Sequence, residues 1–201
     1  MTMRLGVLGG TFDPIHFGHL LAAEETRESL RLERVLLAPA ALPPHKQQCP
    51  LLPVEHRLAM VRLAIADNAA LALSTVDVDR RGPHYMADTI RLIRDEWGTG
   101  AEETFLIMGA DSLMQLMTWH DPTRLISSCR LAVVARPNYP VDMAALEAIL
   151  PGLSQRVDWA EMPELGISAS DLQRRVRAGR SIRYQTPAAV ARYVAEQRLY
   201  V

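Results

Sequence analysis

Short apolar runs rich in Val, Leu and Ile alternate with helix-length segments along most of this chain, and that alternation restricts the fold more than any other feature. The runs are Arg4–Leu8, Arg34–Ala38, Leu71–Val78, Thr104–Met108 and Leu131–Ala135. Between them, Gly18–Leu30, Val54–Asn68, Met86–Trp97 and Ser112–Trp119 have the length and patterning of helices. Strands alternating with helices make βαβ units, and right-handed crossovers set the helices on both faces of a parallel sheet. The fold class is therefore α/β, a doubly wound parallel sheet. Met143–Ile149 adds a helix and Arg156–Trp159 a late strand. The last part, from about residue 166 to 201, reads as a C-terminal helical extension. There Ser168-Ala169-Ser170-Asp171 has the form of a capping box, with Ser168 as N-cap and an acid at N3. Its helix runs to about Ala178 and ends at Gly179, and Pro187 opens a last helix from Ala188 to Gln197. A chain of 201 residues fits one domain spanning residues 1–201.

The first strand runs into Gly9-Gly10-Thr11-Phe12-Asp13-Pro14-Ile15-His16-Phe17-Gly18-His19, and a helix follows. Glycines let backbone approach a ligand closely. Histidines three apart at a helix start project on one side of its first turn. Free N–H groups and the helix dipole favour an anion there. The segment reads as a phosphate site, against the bland alternative of a helix start with two solvated histidines. It lacks the glycine–lysine pattern of a P-loop and is not G-x-G-x-x-G. Metal ligation by His16 and His19 has no third and fourth ligand at suitable spacing. In an open parallel sheet, ligands bind beyond the carboxyl ends of the strands where the order reverses. With a 3-2-1-4-5 order, the loops Gly9–His19 and Gly109–His120 face each other across one crevice.

A net charge of −1 gives no basic field that would argue for nucleic acid. Cys49 and Cys129 make no CxxC pair and no disulfide framework, which points to the cytoplasm. No apolar stretch reaches the roughly 18 residues of a membrane span, and the N-terminus does not read as a secretion signal. Self-association into a homo-oligomer is compatible with the sequence.

The glycine–histidine loop resembles the HxGH-containing loop of the nucleotidyltransferase superfamily, and its longer form is similar to that of the bacterial nicotinate-nucleotide adenylyltransferase family. Pro44-His45-Lys46, Gly109-Ala110-Asp111-Ser112-Leu113, Trp119-His120, Ala135-Arg136-Pro137, Ile167-Ser168-Ala169-Ser170 and Gly179-Arg180-Ser181-Ile182-Arg183-Tyr184 agree in order. The resemblance spans nearly the whole chain and implies a Rossmann-like fold. It also implies a reaction of NAD biosynthesis: the 5′-phosphate of nicotinate mononucleotide attacks the α-phosphorus of ATP, with Mg²⁺ present. Nicotinate adenine dinucleotide forms and pyrophosphate leaves.

By that resemblance, His16 and His19 contact the ATP phosphates, and His45 and Lys46 close over the triphosphate. Gly9 and Gly10 admit the ligand, and Thr11 and Phe12 offer backbone N–H groups to the mononucleotide. Tyr85 and Met86 receive the nicotinate carboxylate, with Thr89 in the same substrate-binding segment. Gly109 and Asp111 serve a ribose, although an Asp in this place also suits a helix cap. Trp119 stacks on the pyridine ring, or is simply a core tryptophan. Ser168 and Ser170 bring a hydroxyl and helix N–H groups to ATP. Two positions depart from the family pattern. His84-Tyr85-Met86 stands where Ser-Tyr-Thr is common, and Gln173 replaces an arginine that would face phosphate, which leaves Arg136 or Arg175 to compensate. The rival readings are another nucleotidyltransferase, such as one acting on phosphopantetheine, a class I aminoacyl-tRNA synthetase without its KMSKS-like segment, and a nucleotide sensor without turnover.

Overall fold

The computed structural model describes residues 3–41, 51–135 and 140–201. Six strands form one parallel sheet: β1 (Leu5–Gly10), β2 (Arg34–Pro39), β3 (Leu71–Leu73), β4 (Thr104–Gly109), β5 (Arg130–Val134) and β6 (Val157–Ala160). Their order is β3-β2-β1-β4-β5-β6, so the chain reverses its winding between β1 and β4. The four inner strands β1, β2, β4 and β5 carry runs of consecutive buried residues and are covered on both faces, as a parallel sheet between helices demands, while the edge strands β3 and β6 are more open. On one face, Leu8, Leu37, Ile107 and Val134 pack with α1 (Phe17–Ser29), α2 (Val54–Ala64), α7 (Ala169–Arg177) and α8 (Ala188–Glu196) through residues such as Ala23, Val61, Leu172 and Val190. On the other, Val7, Leu36, Leu106 and Val133 meet α3 (Met86–Trp97), α4 (Ala110–Met114), α5 (Pro122–Ser128) and α6 (Met143–Ile149) through Ile90, Leu113, Leu125 and Leu146. The doubly wound sheet with a helical C-terminal part agrees with the sequence reading.

Most boundaries move by a few residues, and three elements differ more. The expected strand Leu71–Val78 stops at Leu73. The Ser74 N–H still donates to Leu37 at 2.9 Å, but the chain then turns, with Val78 N–H bonded to the Thr75 carbonyl at 2.8 Å. The buried Asp77 carboxylate draws the turn inward, taking Arg80 at 2.7 Å and the Thr89 hydroxyl at 2.8 Å. Val76 and Val78 thus imitate a strand that side-chain chemistry ends. The expected helix Ser112–Trp119 is instead the short α4 followed by a 3₁₀ turn, Leu116–Thr118. The α5 helix was not anticipated, although Asp121-Pro122 carries its start: the Asp121 side chain accepts the Arg124 N–H at 3.0 Å and Pro122 sits at a permitted first position.

Candidate active site

Six residues, Thr11 to His16, connect the carboxyl end of β1 to the N-terminus of α1 and carry the centre of the site. Phe12 is fully buried at φ 49°, a left-handed conformation that bulky residues rarely adopt. Its ring meets His19 edge-on, with centroids 5.1 Å apart. The rings of His16 and His19 stack at 3.8 Å. The His16 backbone N–H donates to His19 Nδ1 at 3.3 Å, so a neutral His19 carries its proton on Nε2. Gly18 is explained by the same pair. A Cβ at this position would lie 3.0 Å from His16 Nδ1 and 3.1 Å from Cε1, so only glycine leaves the ring its place.

His16 is buried rather than solvated, which removes the bland alternative for this residue. Desolvation lowers its pKa to about 4, so it is neutral at pH 7. Its Nδ1 is buried without a hydrogen-bond partner. The attraction for an anion therefore comes from the N-terminus of the thirteen-residue α1, whose first turn holds no acidic side chain to offset it.

Sequence-distant segments close around this loop. Met86 packs over Gly9, where an added Cβ would meet Met86 Cε at 2.5 Å. Tyr85, which precedes α3, stacks on His120 at 3.8 Å and 14°. Its neighbour Trp119 is partly buried, packed against the core on this face of the sheet. Gly10 ends β1 and Gly109 ends the adjacent β4, which puts both glycines at the reversal point. Gly109 itself is the N-cap of α4 and Asp111 lies in the first turn, so the capping alternative for Asp111 does not hold. Its carboxylate folds back over Gly109. The Thr89 hydroxyl is fully buried and engaged by Asp77, beneath the Tyr85–Met86 segment. On the other side, the Ile167 carbonyl lies beside Gly18, which brings the start of α7 against the start of α1. Ser168 caps α7 by accepting the Asp171 N–H at 3.2 Å, and its hydroxyl lies 3.3 Å from that of Ser170. The Asp171 carboxylate takes Arg174 instead of returning to the cap. His45, Lys46 and Arg136 lie outside the described residues.

Sequence reasoning missed what holds the loop. Arg57, fully buried on α2, donates to the carbonyls of Thr11 (2.9 Å), Ala40 (2.8 Å), Ala41 (3.2 Å) and Leu52 (3.1 Å). A signal existed, because Arg57 precedes Met60, Val61 and Ala64 at helical spacing and so shares their core face. Gln173, at the position where the family pattern has arginine, donates its Nε2 to the Asp13 carbonyl at 2.7 Å. Arg175 Nε donates to the Ser181 carbonyl at 3.0 Å.

This geometry, a doubly wound sheet with an imidazole pair and helix N-terminus at its reversal point, is that of a nucleotide-handling α/β domain. Residues 7–175 match the cytidylyltransferase-like family, and the chain belongs to it. Within that class it groups with nicotinate-nucleotide adenylyltransferases. A protein named "Probable nicotinate-nucleotide adenylyltransferase" from Roseiflexus sp. (strain RS-1) is 47% identical over 196 residues, covering 98% of this chain and 97% of the relative. One of the same name from Thermomicrobium roseum is 49% identical, covering 98% and 91%. In fold, the chain is similar to a Plasmodium falciparum nicotinic acid mononucleotide adenylyltransferase complexed with NaAD, with a TM-score of 0.79 at 16% identity and coverage of 98% and 97%.

Proposed function

We propose that this enzyme transfers the adenylyl group of ATP to nicotinate mononucleotide, giving nicotinate adenine dinucleotide and pyrophosphate in NAD biosynthesis. The observation that carries this reading is the stacked His16–His19 pair at the N-terminus of α1, set where β1 and β4 part. In the reaction a phosphate oxygen of the mononucleotide forms a bond to the α-phosphorus as the bond to the β-phosphate oxygen breaks. The nucleophile is already an anion, so the protein's task is to hold two anions in line and stabilise the charge that develops.

His19 Nε2–H is suited to donate to the α-phosphate in the transition state, with Phe12 and His16 fixing its ring. His16 acts as a neutral group beside it. The α1 N-terminus attracts the triphosphate, and the start of α7 with Ser168 and Ser170 extends that surface. The Tyr85–His120 stack and Trp119 shape a slot for the pyridine ring, with the Met86 N–H available to its carboxylate. His45 and Lys46 are assigned to the triphosphate. Among the described residues no group of three His, Cys, Asp or Glu side chains could cage a metal. Mg²⁺, which prefers phosphate and water oxygens, is accordingly assigned to enter as the ATP complex. No helix among the described residues is long and apolar enough to cross a membrane, and the free, buried Cys129 supports a reducing, cytoplasmic setting.

The test is steady-state pyrophosphate release with Mg²⁺, ATP and either nicotinate or nicotinamide mononucleotide. Turnover that requires both ATP and mononucleotide, faster with the nicotinate form, is expected. Absence of pyrophosphate release from ATP and nicotinate mononucleotide would overturn the reading.

A further inference from the structure

The C-terminal part of the chain holds the loop that carries His16 through a series of bonds spaced along it. The Gln173 amide donates to the Asp13 carbonyl at 2.7 Å. The Thr186 hydroxyl donates to the Ile15 carbonyl at 2.7 Å, and the Phe17 N–H donates to the Gln185 carbonyl at 3.1 Å. The fourth contact is the most unusual. Tyr200, the penultimate residue, donates its hydroxyl to Asp13 Oδ1 at 2.6 Å. Asp13 is 2% exposed, and its other oxygen accepts the Leu52 N–H at 3.3 Å. From the opposite side Arg57, whose charge attracts that of Asp13, grips the Thr11 carbonyl.

We infer that Tyr200 is a positioning residue for adenylyl transfer: by hydrogen-bonding the buried Asp13 carboxylate it fixes the Thr11–His16 loop, and through it the His16–His19 pair. This rests on the proposed role of that pair. The physical reason is burial. A carboxylate withdrawn from water needs donors, and a lost donor to a charged group is felt far more than one to a neutral group. Asp13 is three residues before His16, and a chain segment held at every second residue cannot absorb a shift without moving the imidazole. Effective catalysis is sensitive to misplacement of about 1 Å. The left-handed φ of Tyr200, 66°, and of Arg198, 49°, fits a tail bent so that the phenol reaches Asp13. The ring remains packed against the core shared by α1, α2 and α8, so a Tyr200→Phe change removes the hydroxyl and leaves the packing.

Two measurements on the full chain decide it. In Tyr200→Phe, kcat with ATP and nicotinate mononucleotide should fall by about tenfold or more, while both KM values stay within about twofold. Amide exchange of residues 11–17 should become faster, with the strand amides of β4 and β5 unchanged. Val201→Ala, at an 87% exposed position, should change neither. An unchanged kcat, or exchange that rises equally across the whole chain, would overturn the inference, because Tyr200 would then be inert or merely part of global stability. If the unaltered enzyme shows no turnover with these substrates, the functional reading fails by itself. Unchanged exchange at residues 11–17 would still refute the tie between Tyr200 and the loop.

Discussion

At the scale of single residues, the site divides its work between two imidazoles with different environments. His19 has its tautomer set by the His16 N–H, and a donor aimed at developing charge is worth about 3–4 kcal/mol. His19→Ala is therefore expected to lower kcat by roughly 10²–10³-fold while weakening mononucleotide binding far less; a kcat near that of the unaltered enzyme would remove His19 from the transition state. His16 makes a prediction about stability. Its pKa is near 6.5 unfolded and about 4 folded. Between those values the unfolded chain binds the additional proton, so acidification favours unfolding. The stability is complete above pH 6.5 and is lost as pH falls toward 4, by up to about 3 kcal/mol. Denaturant titrations at pH 7 and pH 5 should show this loss, and His16→Gln should reduce it.

At the scale of elements, two helix starts and one loop determine how the site is presented. Gly18→Ala inserts a methyl where His16 now sits, 3.0 Å from its Nδ1. The imidazole must move, so kcat should drop although the α1 backbone, with alanine favoured over glycine, gains helix propensity of up to about 1 kcal/mol. Activity that falls while the melting temperature holds or rises is the pattern to look for. Ser168→Ala removes the α7 cap, which costs about 1 kcal/mol, and should raise the KM for ATP more than that for the mononucleotide. Trp119→Ala should do the opposite, raising the mononucleotide KM more; equal effects on both would assign Trp119 to the core alone. The helix starts were legible because caps and prolines act locally. Ser168 caps its helix as expected, and even the overlooked α5 had its Asp121-Pro122 start in view. The end of β3 was not legible, since it depends on Asp77 meeting Thr89 twelve residues away.

For the whole molecule, one buried guanidinium joins the ends of β1 and β2 to α2. Arg57 satisfies four carbonyls that apolar side chains cannot, and each buried carbonyl left unpaired costs about 1–3 kcal/mol. Arg57→Leu is expected to lose about 3 kcal/mol or more of unfolding free energy and to reduce turnover in the fraction that stays folded. A loss below about 1 kcal/mol, from urea unfolding, would show that water replaces the guanidinium. The sequence by itself determined the strand–helix alternation and the glycine–histidine loop, because apolar periodicity, glycine and capping chemistry are written in neighbouring residues, whereas the strand order that sets β1 beside β4 came from the tertiary pairing. Only the tertiary structure decided that His16 is buried and neutral, that Gln173 bonds the loop carbonyl of Asp13, and that Tyr200 meets Asp13. Those outcomes depend on which surfaces exclude water and which distant carbonyls then need donors, and no local pattern encodes a contact between residues 187 positions apart.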